Sequence, residues 1–255
     1  MWSRRELVAA GALMVLSVGG GWSCCCAQSR RAPRSRGCHL SDADLAAIYP
    51  EGTATARFLT GSEPIVYKSG DADFDLALAQ TLAMISDRFG VVPGFAYYDD
   101  SDAKNAYATP QVRLSNVDGT VLMGINLLHT LRAMHDAPEV AVAGVCSHEF
   151  GHILQFKHGI DVDAGQPTVK RSELQADYFA GYFAGLRKRE RPSYPAAVVA
   201  LIQHDFGDTA FGNPSHHGTP EERGEAVVKG FEAAFRDKKS VGDAIQESTS
   251  YVLSL

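Results

Sequence analysis

The chain has 255 residues, 45% of them hydrophobic and 21% charged, and a formal net charge of −6. This is the composition of a soluble globular protein with enough apolar material for a core, which excludes disordered and fibrous classes, and the length suits one ordinary domain. The acidic balance excludes nucleic acid as the expected partner, because phosphate neutralisation needs a clustered basic surface and the one basic cluster, Arg30, Arg31, Arg34 and Arg36, lies in a linker-like segment.

Residues 1–27 read as an export signal. Arg4 and Arg5 precede a short apolar run over residues 8–18, too short to span a bilayer. Two readings fit the arginine pair: a plain basic leader, or a twin-arginine signal, whose pathway exports folded proteins. Cys24, Cys25 and Cys26 follow Trp22 and Ser23, a poor lipoprotein cleavage box, so removal after about Ala27 is expected rather than lipid anchoring. The expected product is periplasmic or secreted, with no stable membrane span after signal removal. Cys38 and Cys146 remain. An exported protein can bridge such a pair, while Cys146 sits on an apolar stretch where a buried free thiol is the commoner case.

Residues 28–70 read as a lead-in, with a short helix capped at Ser41 and ending before Pro50 and a short strand over 65–67. From Asp71, the apolar residues Phe74, Leu78, Leu82, Ile85 and Phe89 recur at helical spacing until Gly90 stops the helix. Short strands are expected over 91–98, 105–108 and 112–114, with turn chemistry at Asp118-Gly119. The apolar run 120–126 then leads to the next helix, either as an edge strand able to add an extended peptide or as a covered strand inside the sheet. The fold class expected is α+β, mainly helical, with a small mixed sheet whose edge strand borders that helix.

Pro138 and Glu139 suit the first turn of the helix, which runs on to Gly159. It carries His148-Glu149-Phe150-Gly151-His152. Two histidines at i and i+4 project from one face, neutral imidazole ligates zinc well, and Glu149 between them suits a general base acting on a metal-activated water. The third ligand has two candidates. A continued helix carries His158 roughly 9 Å along the axis from His152, and Gln155 stands where a sharp turn back to the metal would need glycine, so His158 reads as a helix C-terminal histidine. Glu173 opens a second helix that starts near Val169. Glu173 and Asp177 share one face, and two stacked carboxylates repel unless one binds a cation and the other accepts the N–H of a ligand histidine. The small Ala176, Ala180, Gly181 and Ala184 point to close packing on another helix. Glu173 is therefore the expected ligand and Asp177 its companion. Farther on, Thr219-Pro220-Glu221-Glu222 is a capping box. His216 and His217 before it are candidates to stabilise a reaction oxyanion or to touch the metal; the alternative is surface loop histidines.

His148-Glu149-Phe150-Gly151-His152 together with Glu173-Leu174-Gln175-Ala176-Asp177 resembles the gluzincin metallopeptidases, among them the neutral zinc metallopeptidases and soluble relatives of HtpX and the CAAX-prenyl proteases. Asn105-Ala106-Tyr107-Ala108 is similar to the Asn-Ala-Phe-Ala run of that family, and His217 with Arg223 to its downstream His…Arg segment. The resemblance covers roughly residues 71–235. It implies a zincin-like domain over residues 71–255, Zn2+ held by His148, His152 and Glu173, catalysis by Glu149 with His217, support from Asp177 and Arg223, and a peptide or protein substrate. A zinc-stabilised binding or chaperone-like module that cleaves nothing is the alternative on the same scaffold.

Overall fold

The computed structural model describes residues 63–101, 103–116 and 118–255. The expected export signal, the helix capped at Ser41 and Cys38 lie outside the described residues. Helix α1 (Ala72–Phe89) begins where Asp71 accepts a hydrogen bond from the Phe74 amide at 3.0 Å, and it ends at Gly90, whose left-handed φ of 67° few other residues adopt cheaply. Its buried residues Leu78, Ile85 and Phe89 belong to the expected apolar stripe.

Four strands, β1 (Ile65–Val66), β2 (Gly94–Tyr98), β3 (Ala106–Thr109) and β4 (Thr120–Gly124), form one mixed sheet in the order β1-β2-β4-β3. Strand β4 runs parallel to β2 and antiparallel to β3, with Met123 opposite Ala106 and Val121 opposite Ala108. The edge reading of residues 120–126 is therefore wrong: the run is an interior strand, and β3 is the edge on that side. All five β4 residues are buried, and an unbroken apolar run is what a strand covered on both faces requires. The run also ends early. The Asp100 carboxylate accepts from the amides of Asn126 at 2.7 Å and Leu127 at 2.9 Å, capping helix α2 (Ile125–Arg132) directly after the strand. A Cβ at Gly124 would lie 2.0 Å from Asp100 Oδ2, so only glycine fits that junction. The strand expected at 112–114 is absent; there the Arg113 amide donates to Thr120 Oγ1, which in turn donates to the Gln111 carbonyl.

Helix α3 (Pro138–His158) carries the HExxH motif and is buried continuously from Val140 to Gln155. Cys146 within it is a buried free thiol. Helix α4 (Lys170–Glu190) lies against it, followed by α5 (Ala197–Asp205), α6 (Pro220–Phe235) and α7 (Val241–Leu253). The close packing expected of α4 is real, and its closest partner is α6. A Cβ at Gly181 would stand 1.9 Å from the Val227 carbonyl oxygen, and one at Gly230 would stand 1.8 Å from that of Tyr178. Against α3 the approach is less tight, with Gly151 facing Ala176 and Phe179. The capping box at Thr219 is formed in full. Among the described residues no helix is long and apolar enough to cross a membrane.

Candidate metal centre

One turn of α3 sets the His148 and His152 rings edge to face, with centroids 4.8 Å apart and Nε2 atoms 3.2 Å apart. Glu173, in the first turn of α4, brings Oε2 to 3.4 Å from His148 Nε2 and Oε1 to 3.6 Å from His152 Nε2. All three residues are buried, and their donor atoms lie within 4.8 Å of one another, the only such cluster among the described residues. The two histidines approach different oxygens of Glu173, and the three groups are close enough together to hold one metal ion.

The protons of the two rings are fixed by what lies behind them. His148 Nδ1 is 2.8 Å from Asp177 Oδ1, and a carboxylate only accepts, so the ring proton sits on Nδ1. His152 Nδ1 is 2.8 Å from Gln155 Oε1. The Gln155 amide nitrogen is committed elsewhere, to the Ser172 carbonyl, which turns its Oε1 acceptor toward His152 Nδ1. When both rings are neutral, their Nε2 lone pairs face the Glu173 carboxylate and three acceptors meet; when protonated, the rings are the cations that hold that carboxyl low. Such a set attracts a cation, and its residue types fit one.

Asp177 is itself held. Arg223 Nε donates to its Oδ2 at 2.7 Å and Arg223 Nη2 to its Oδ1 at 2.9 Å, while the guanidinium also reaches Gln203 Oε1 and the Phe206 carbonyl. Burial pushes the Asp177 carboxyl up, but the Arg223 and His148 charges outweigh it and hold the group below the usual carboxylate range. The same contest at Glu173, with burial opposed by His217, His152 and His148, leaves that carboxyl well below its ordinary value. Glu149 differs. Burial raises its carboxyl to about 8, with His148 opposing and Glu173 adding to the rise, and its Oε2 has no hydrogen-bond partner among the described residues.

A cavity of about 180 Å³ lies in front of Glu149 and His148, bounded by Ala106 of the edge strand and Asn105 just before it, Leu127, Val145, Phe206, His217 and Arg223. Lys104 and Phe206 are exposed, which puts the mouth on their side. The two loop histidines separate here. His217 lines the cavity, its amide bonded to Asp208 Oδ2 at 3.0 Å. His216 is buried away from it, bonded to Asp208 Oδ1 and set against the Phe211 ring. His158 stands exposed in the last turn of α3, outside the cluster. The cluster thus unites His148, His152 and Glu173, with Asp177 and Arg223 behind His148. Sequence reasoning missed Gln155 behind His152, whose only signal is a glutamine three residues after a ligand, and Asp208, which holds the loop of His217. Comparison with protein-family models, with curated proteins and with solved structures gives no match for the chain.

Proposed function

We propose that the protein is an exported zinc-dependent endopeptidase of gluzincin type, acting on peptides or proteins. The observation that carries this reading is the meeting of two parts: a buried His148, His152 and Glu173 donor set, and a buried Glu149 carboxylate between them that opens on a cavity. A non-catalytic zinc site has no use for that carboxylate.

Zinc, held by His148, His152 and Glu173, would supply Lewis acidity, acidifying water and polarising a carbonyl. Glu149 takes the proton of the attacking water and later delivers one to the leaving amine; a carboxyl that burial makes easy to protonate suits both halves of this exchange. His217, on the cavity wall, faces the charge that develops on the carbonyl oxygen. Asp177 keeps the His148 proton on Nδ1, and Arg223 keeps Asp177 ionised and in place.

Glu149→Gln keeps the shape of the side chain and removes the base. The variant should bind one zinc as the parent does, by elemental analysis, and lose on the order of 10²–10⁴ in cleavage of an unstructured protein. Equal cleavage by parent and variant across a broad peptide library would defeat the proposal. Zinc in both with cleavage by neither would leave the binding-module reading in its place.

A further inference from the structure

The two histidines are oriented by different means. His148 leans on an anion, while His152 leans on a neutral amide whose direction is set through Gln175 by helix α7. Gln155 Nε2 donates to the Ser172 carbonyl at 2.8 Å and to Gln175 Oε1 at 3.1 Å, so Gln155 Oε1 must face His152. Gln175 Nε2 donates in turn to Ser248 Oγ at 3.1 Å and Thr249 Oγ1 at 2.9 Å on α7. Both of those hydroxyls have already given their protons to the Ile245 carbonyl, at 3.1 and 2.8 Å, and can only accept from Gln175. Every donor in the chain therefore points one way, from His152 through Gln155 and Gln175 to α7. Gln155, Gln175 and Ser248 are 2%, 0% and 0% exposed, so at these three residues water is kept from a lost link, while Thr249 is half-buried.

We propose that Gln155 is the positioning residue of His152, and that Gln175 with Ser248 and Thr249 fixes the Gln155 amide. The last helix of the chain thereby sets which nitrogen of a metal ligand carries the proton. The inference rests on the reading of the cluster as a metal centre, although the tautomer itself can be tested without metal.

The first test is a two-bond proton–nitrogen correlation spectrum of the metal-free full chain, labelled with ¹⁵N-histidine, at pH 8. His152 should show a protonated Nδ1 and a bare Nε2. Gln155→Met should lose that pattern, and Gln155→Glu should recover it, because a carboxylate again accepts from Nδ1. The second test is zinc affinity by competition with a chromophoric chelator. Gln155→Met should bind about 10–100-fold more weakly, Gln175→Met less so, and the Ser248→Ala/Thr249→Val pair several-fold more weakly than the parent. A wild-type His152 protonated on Nε2 would overturn the proposal, whether or not the Gln155 variants fold. Unchanged zinc affinity in the Ser248/Thr249 pair would remove α7 from it. If the parent binds no zinc while its His152 spectrum is as expected, the metal reading fails and the relay stands.

Discussion

Asp177 answers to two groups at once, accepting the His148 ring proton on one side and the Arg223 fork on the other, all three buried. Removing the fork leaves a charged carboxylate in a low-dielectric interior, the costliest kind of truncation. Arg223→Met should destabilise the fold by about 3–5 kcal/mol, read as a lower denaturant midpoint. Arg223→Lys should recover little, since an ammonium cannot donate the two parallel bonds that Asp177 receives; full recovery by lysine would show that charge alone is needed. The ligand choice gives a second contrast. Glu173→Ala should strip zinc from the purified protein while His158→Ala leaves it, and the reverse result would move the third ligand to the end of α3. These residues were legible because a helix fixes what lies at i and i+4, so His148 with His152 and Glu173 with Asp177 each declare a shared face. Gln155 was not legible, because a buried glutamine gains its meaning only from Ser172, Gln175 and α7, none of which local spacing brings to it.

At the scale of elements, the helices with a cap and a long period could be read: α1 from Asp71 to Gly90, α3 from Pro138, α4 from Val169, and the start of α6 at Thr219. The short helices α2, α5 and α7 were passed over. Helix α2 has no side-chain cap of its own and depends on Asp100, 25 residues before its first position, although α7 did carry a sign in the Ser240 and Asp243 capping box. The sheet order lay beyond local reading too, since nothing in residues 120–124 tells which strand will flank them. The α4–α6 crossing, by contrast, makes a sharp claim about glycine. A methyl group at residue 230 would meet a backbone carbonyl at 1.8 Å, which no rotamer change relieves, so one helix must move bodily. Gly230→Ala should therefore cost about 3 kcal/mol, at the upper end of ordinary overpacking. Gly242→Ala, in α7 with only the Ser240 hydroxyl within 4 Å, is the matched control. Equal unfolding midpoints for the two variants would mean that the helices do not cross this closely.

The whole described unit converges on the site. Two of the clustered donor residues come from α3 and one from α4; Arg223 brings α6 to bear on Asp177, and Gln175 ties α7 to His152 through Gln155. These helices also form the main core, with Phe150, Ile153 and Leu154 of α3 and Tyr178, Phe179 and Phe183 of α4 in one buried cluster. A cation bound here cannot be lost by fraying one loop, since its ligands part only when the α3–α4 pair parts. Binding to the folded chain alone stabilises it by RT ln(1 + [M]/Kd), about 4 kcal/mol when free zinc is a thousandfold above Kd. In a domain of this size that should raise the melting midpoint by about 8–16 °C over the chelated protein. The gain should be the same by calorimetry and by far-ultraviolet circular dichroism, because one cooperative transition carries both signals. It should vanish in Glu173→Ala and persist in Glu149→Gln, which keeps every ligand. A zinc-induced gain that survives Glu173→Ala would place the ion elsewhere, and a gain seen by only one probe would mean that the site opens without the core.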